Sequence, residues 1–384
     1  MGIVMKRILT LIIAVIFMNN IIFFRVYAID QNEIIAQSAI LIDKVTGRVL
    51  WEKNADKKMA MASTTKIMTC IVALENGKLD QKIAVSHKAE IAPKVKLYIK
   101  EGESYLLEDL LYALMLESSN DVAIAIAEGV GGSVEEFCDI MTEKAKEIGA
   151  RNTSFKTPNG LDAEGHYTTA YDLALITKYA LENTEFNNII NTPAHSFSEV
   201  TNKSRFSVDN KNAFLNMYEG ANGVKTGYTG DAGYCFVGSV KQGDMELIVV
   251  LLACGWPNNR TYRWRDTIAL MDYGFDHYSY KTILKDKTIV IKLDNIKFSS
   301  KGSTLGMLSQ DVRTIVREDE KVDVIYDMIP IDEAPIIKDS VIGTAIIYID
   351  NQLYTTIDIK ATNTVERIDY AYCCNYVWKL FIGK

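Results

Sequence analysis

The stretch Met61-Ala62-Ser63-Thr64-Thr65-Lys66-Ile67-Met68-Thr69-Cys70-Ile71-Val72-Ala73-Leu74 is where the chain turns from strand to helix. Small polar residues open it, and from Lys66 onward the apolar positions recur with a spacing near 3.6. Upstream, Ser38–Asp43 and Arg48–Glu52 flank Lys44-Val45-Thr46-Gly47 and predict a β-hairpin around a Gly-containing turn. Downstream, helical signals continue to about Asn191, clearest over Leu106–Leu116 and Asp172–Leu181. Strand patterns then return at Gly223–Tyr228, Tyr234–Val240 and Glu246–Leu252, the last two around Gln242-Gly243-Asp244. A helix over Thr261–Phe275 closes the unit. Strands, many helices, then strands and a helix predict an α/β (α+β) domain: one antiparallel sheet built from both ends, with a helical lobe inserted.

Beyond about Lys285 the runs Thr288–Leu293, Lys321–Tyr326, Val341–Ile349 and Leu353–Ile359 read as short strands without a long helix, hence a small all-β domain. The tail Arg367–Lys384 places Tyr370, Cys373, Cys374, Val377, Trp378, Leu380 and Phe381 on one arc, with Asn375 and Lys379 opposite. As a helix it would be about 27 Å long and too polar to span a bilayer. An amphipathic helix lying in a membrane interface fits, and a helix packed on the β domain is the alternative. At the other end, Lys6-Arg7 precede an apolar run from Ile8 to Phe24, and Val26-Tyr27-Ala28 supplies a signal-peptidase pattern. An uncleaved anchor is the alternative reading; the run is short for one and is interrupted by Asn19-Asn20. The expected divisions are a signal peptide over 1–28, a catalytic domain over 29–280, the β domain over 281–366 and the amphipathic helix over 367–384.

Composition narrows the function. The 384 residues are 48% hydrophobic and 24% charged, which excludes a disordered chain. The net charge of −7 argues against a phosphate-backbone binder. With the leader removed, 39 bases face 49 acids in an exported, extracytoplasmic protein at the outer face of the membrane or in the wall. Cys70, Cys138, Cys235 and Cys254 sit in apolar contexts and read as small core residues; Cys373-Cys374 could be lipidated or packed.

Three short motifs carry chemistry. Ser63 is the only serine with a lysine three residues on. On a helix Lys66 would lie beside its hydroxyl, and a desolvated lysine can act as the base a serine nucleophile requires. Ser118-Ser119-Asn120 follows an apolar helix, so a hydroxyl and a carboxamide can converge on one point. Lys225-Thr226-Gly227 lies on a returning strand, where Lys225 and Gly227 share one face. A bend or twist is then needed to present Thr226 as well, and Gly227 leaves room for a peptide to pair along the edge. Each motif alone has a bland explanation: a helix cap, a polar helix end, a solvated lysine. The ordered triple does not.

With Lys53-Asn54-Ala55-Asp56, Pro158-Asn159-Gly160-Leu161-Asp162, His166-Tyr167-Thr168-Thr169-Ala170 and Asp272-Tyr273-Gly274-Phe275, the chain resembles the serine-type D-alanyl-D-alanine carboxypeptidases of the low-molecular-mass penicillin-binding proteins (peptidase S11), closely over residues 36–277. The resemblance implies the penicillin-binding, β-lactamase-like fold and removal of the terminal D-alanine from peptidoglycan stem pentapeptides. It implies Ser63 as nucleophile, Lys66 as proton acceptor and Ser118 as proton relay. Asn120, Lys225, Thr226, Gly227 and Tyr228 would bind substrate, with the N–H groups of Ser63 and Tyr228 as oxyanion hole. β-Lactams would acylate Ser63, and no cofactor or metal ion is called for. Ser119 departs from the glycine common in the family.

Other hydrolases fit less well. There is no G-x-S-x-G around a serine, only His87, His166, His195 and His277 are available, and no H-E-x-x-H occurs. No E-x-x-L-N lies between Asn120 and Lys225, against a β-lactamase. A sensor that acylates without turnover uses the same residues; release of D-alanine separates it from an enzyme.

Overall fold

The computed structural model describes residues 29–382. The expected signal peptide lies outside them. A short N-terminal unit ends at Ile34, and its described part, 29–34, contains a turn; the body runs from Ile35 onward.

The body starts with the predicted hairpin, β1 (Ser38–Asp43) and β2 (Val49–Lys53). A 3-10 turn (Ala62–Thr65) leads into α1 (Lys66–Asn76). The inserted lobe then holds β3 (Lys82–Ala84), α2 (His87–Glu90), β4 (Ser104–Leu106), α3 (Leu107–Tyr112), α4 (Asn120–Gly131), α5 (Val134–Ile148), α6 (Ala170–Ala180) and α7 (Thr184–Asn191). A hairpin of β5 (Ala194–Ser198) and β6 (Arg205–Asp209) follows. Next come β7 (Ala221–Thr229), β8 (Gly233–Gln242), β9 (Met245–Leu252) and α8 (Tyr262–His277). The main sheet has the order β2-β1-β9-β8-β7, antiparallel throughout, so both ends of the unit share one sheet as the sequence pattern predicts.

β9 reads Met-Glu-Leu-Ile-Val-Val-Leu-Leu, a nearly unbroken apolar run, because both faces of the sheet are covered. Ile40, Ile42, Ile248, Val250 and Leu252 join the core of the helical lobe. On the other face α8 lies so close that a Cβ at Gly274 would come within 2.5 Å of Leu247 and 3.0 Å of Leu41. α1 is the lobe's central helix: every residue from Lys66 to Ala73 is buried. That explains why its apolar pattern has hardly a polar stripe.

The expected single helix over Leu106–Leu116 is α3 followed by one π-helical turn, Ala113–Glu117. Ser118 then takes φ 65°, and a new helix starts at Asn120. The β5–β6 hairpin went unread: its strands are short and only Phe197, Phe206 and Val208 mark an apolar face.

The second region contains β10 (Tyr278–Leu284), β11 (Ile289–Asp294), β12 (Ser303–Leu308), β13 (Val312–Arg317), β14 (Val322–Met328), β15 (Val341–Ile349) and β16 (Gln352–Ala361). β10 pairs with β13, and the others form a sheet of order β11-β12-β16-β15-β14 around Leu308, Ile342, Ile347, Ile357 and Ile359. β10 starts directly after α8, so the 280/281 division drawn from the sequence falls inside this strand. The tail forms α9 (Tyr370–Ile382), with Tyr370 87%, Trp378 65% and Phe381 84% exposed. None of the described residues of α9 is buried. Among the described residues, no helix is long and apolar enough to cross a membrane.

Candidate active site

Ser63 sits on the 3-10 turn and Lys66 on its first residue beyond. In a 3-10 turn side chains at i and i+3 eclipse, so the turn aligns the pair more directly than an α-helix would. Lys66 Nζ lies 3.0 Å from Ser63 Oγ, 2.9 Å from Asn120 Oδ1 and 2.5 Å from the Asn159 carbonyl oxygen. The lysine is fully buried. Desolvation first, and the charge of Lys225 second, hold its pKa well below the usual lysine value, with Asp121 pulling the other way. A neutral amine has two N–H donors and one lone pair. The carboxamide and the carbonyl take the two donors, which leaves the lone pair for the Ser63 hydroxyl. Ser63 Oγ also lies 3.5 Å from the Asn159 carbonyl.

The second motif is placed by the break between the π turn and α4. Ser118 lies in the left-handed region, and its Oγ is buried without a hydrogen-bond partner among the described residues. Ser119, where glycine was expected, has φ −66° and ψ 125°, so a serine fits without strain. Asn120 is pinned from outside: its N–H donates to the Val95 carbonyl at 2.7 Å and its Nδ2 to the Pro93 carbonyl at 3.2 Å. The next residue, Asp121, accepts the N–H groups of Leu97 and Tyr98 at 3.0 and 2.7 Å. The segment 93–99 is therefore a wall built to orient the amide, and sequence reasoning gave it no role.

The third motif lies on β7, the edge strand of the main sheet. A Cβ at Gly227 would stand 2.9 Å from the Ser63 nitrogen and 3.1 Å from that of Thr64. Only glycine lets the strand approach the nucleophile this closely. Lys225, on the same face, is buried, and burial lowers its pKa to about 7. The pairing with β8 runs unshifted from Gly223 to Thr229, so no bulge interrupts the strand at Thr226, and the irregularity lies between Ala221 and Gly223. Thr226 is half-buried and Tyr228 exposed, its ring 4.8 Å from that of Tyr234.

The loop Pro158–Asp162 closes the site from below. Besides the Asn159 carbonyl it contributes Gly160 at φ 84°, where a Cβ would overlap the Ala62 carbonyl at 1.9 Å. Thr229 Oγ1 donates to Asp162 Oδ1 at 2.9 Å, tying the loop to β7. Ser63, Lys66, Asn120, Gly227 and, through its charge, Lys225 converge here. The cysteines at 70, 138, 235 and 254 are buried free thiols; burial pushes Cys138 and Cys235 up to about 12.

Residues 25–254 match the family of D-alanyl-D-alanine carboxypeptidases, and residues 278–367 match the C-terminal domain of penicillin-binding protein 5. D-alanyl-D-alanine carboxypeptidase DacF of Bacillus subtilis is 33% identical over 343 residues, 87% of either chain. DacC of Escherichia coli is 33% identical over 375 residues, 93% of this chain and 90% of that one. The crystal structure of DacD from Francisella tularensis superimposes with a TM-score of 0.71 at 27% identity, covering 86% of this chain and 94% of that one.

Proposed function

Because the chain belongs to the D-alanyl-D-alanine carboxypeptidase family, we propose that Ser63 is its nucleophile and that Lys66 takes the serine proton. The protein is a serine-type D-Ala-D-Ala carboxypeptidase and a penicillin-binding protein, acting on peptidoglycan stem peptides. The observation that carries the residue assignment is the buried Lys66 amine, held by two acceptors with its remaining position on Ser63 Oγ.

As Lys66 removes the proton, Ser63 Oγ attacks the carbonyl between the terminal D-alanines. The oxyanion forms against the N–H groups of Ser63 and Tyr228; loss of one such donor typically slows a reaction by about 10²–10³. Lys66 returns the proton through the unpartnered Ser118 hydroxyl to the departing amine, the C–N bond breaks and free D-alanine leaves. Asn120 binds the stem amide. Lys225, helped by Thr226, pairs with the terminal carboxylate, whose charge stabilises the ammonium form. Gly227 leaves space for the peptide to add to the β7 edge. Water then hydrolyses the acyl-enzyme. In a β-lactam the broken amide stays attached, so no leaving group departs and the ester persists.

We further propose an extracytoplasmic enzyme whose α9 rests on a membrane surface; its exposed Tyr370, Trp378 and Phe381 support this. Incubation with a stem pentapeptide should release one D-alanine per peptide, and Ser63→Ala should release none. Release by that variant would overturn the assignment.

A further inference from the structure

Behind the nucleophile, a buried imidazole adds a link between two parts of the site, the turn that carries Ser63 and the segment next to the Pro158–Asp162 loop. His166 lies on the segment that returns from the Pro158–Asp162 loop. Its Nδ1 accepts the Lys156 N–H at 3.0 Å, and its Nε2 lies 3.0 Å from Thr65 Oγ1. Thr65 donates its own hydroxyl hydrogen to the Ala62 carbonyl at 2.8 Å. The direction of every bond is thereby fixed. Nδ1 must be bare because it faces an N–H, and Nε2 must carry the hydrogen because the Thr65 proton is already committed. The ring is neutral and holds a single tautomer. Burial keeps it so, with its pKa lowered to about 4, and the Phe155 ring packs edge-on at 6.0 Å.

Both ends of this chain matter. At one end is the loop whose Asn159 carbonyl holds Lys66. At the other are Ala62 and Thr65, on either side of Ser63 in the 3-10 turn. Ala62 has φ 49°, a left-handed conformation that is strained for a residue with a Cβ, so this turn persists only if its surroundings hold it. We infer that His166 is a positioning residue of the acylation step: through Lys156 and Thr65 its imidazole fixes the spacing between the Lys66-holding loop and the turn that presents Ser63. The inference rests on the proposed roles of Ser63 and Lys66. It adds a residue that touches neither the substrate nor the reacting atoms.

The test is stopped-flow acylation by benzylpenicillin, which separates the affinity of the initial complex from the rate of the covalent step. His166→Phe keeps the ring and its contact with Phe155 and removes both nitrogens. It should slow the covalent step about 10–100-fold with the initial affinity unchanged, since small misplacements of reacting groups cost rate rather than binding. His166→Gln, whose carboxamide can again donate to Thr65, should recover part of that loss. Thr65→Val should slow the step similarly, and adding it to His166→Phe should cost little more, as for two residues acting in one chain. Nitrogen-15 shifts of the wild-type histidines should show one imidazole locked with Nε2 protonated. A bare Nε2 on His166, a folded His166→Phe that acylates within about twofold of wild type, or equal loss in His166→Phe and His166→Gln would overturn the inference. Ser63→Ala is the control: covalent labelling that survives there would indict the nucleophile instead.

Discussion

A lysine can serve as a base near neutral pH only if its ammonium form is penalised, and this protein applies that penalty twice. Burial and the neighbouring Lys225 charge hold the Lys66 pKa well below the usual lysine value, and its amine is oriented by Asn120 and the Asn159 carbonyl. Lys66→Ala should reduce the rate of penicillin acylation by about 10²–10⁴, the usual range for loss of a general base, while Ser63 remains in place. Lys225 titrates near 7 when folded against the ordinary lysine value of 10.5, so between those values the unfolded chain binds more protons than the folded one. The contribution of this group to stability therefore rises with pH through this window. A Lys225→Met variant should melt above the wild type by several degrees at pH 7, with the gap shrinking as pH approaches 10.5. A gap that widens with pH would contradict the burial of this amine. At this scale Ser63, Lys66, Asn120 and Lys225 were all read from their motifs, and the structure brings them together. The Asn159 carbonyl, the clamp of segment 93–99 on Asn120 and His166 were not, because a backbone acceptor has no residue type and a supporting contact has no fixed spacing.

Among the elements, the edge strand and the turn facing it decide whether the groups can react. β7 reaches the nucleophile only because residue 227 has no Cβ. Gly227→Ala should push the strand from the Ser63–Thr64 backbone, narrow the cleft and lower kcat/KM for a stem peptide by at least about tenfold, while the melting temperature falls by only a few degrees. Steady-state kinetics with differential scanning fluorimetry would read both. The strand itself was legible, since the apolar runs at 234–240 and 246–252 mark its partner β8 and the next strand, β9. The position of its irregularity was not: an ideal pleat calls for a bend or twist to present Thr226 but does not say where, and the register shifts between Ala221 and Gly223. The π turn before Ser118 was hidden for a similar reason. Leu107–Glu117 has an apolar pattern that an α-helix would also satisfy, and Ala113, Leu114, Met115 and Leu116 are buried in the wider turn as they would be in an α-helix.

Over the whole molecule, the catalytic unit meets the β domain along the β1–β2 hairpin. Arg48 donates to Glu320 from both terminal nitrogens, at 2.9 and 2.7 Å, Tyr280 donates to Asp43 at 2.6 Å and Tyr278 to the Leu50 carbonyl at 2.9 Å. Arg48→Ala would leave the buried Glu320 carboxylate without its cation and with the Arg317 N–H as a remaining partner, at a cost of about 1–3 kcal/mol in chemical unfolding, with the acylation rate unchanged because no group of the cleft is touched. The alternating strands of that domain and the amphipathic period of the tail were visible in the sequence. Whether the tail packs or projects was not, since the same apolar arc suits a core and a membrane. Its exposed aromatic residues support the membrane proposal, and deletion of residues 367–384 from the leader-free protein should abolish its flotation with phospholipid vesicles; unchanged flotation would refute membrane contact. The most direct measurement of the central claim is peptide mapping by mass spectrometry after brief exposure to benzylpenicillin. The covalent adduct should fall on the peptide containing Ser63 and vanish in Ser63→Ala, and an adduct on any other residue, or one that persists in that variant, would contradict the assignment.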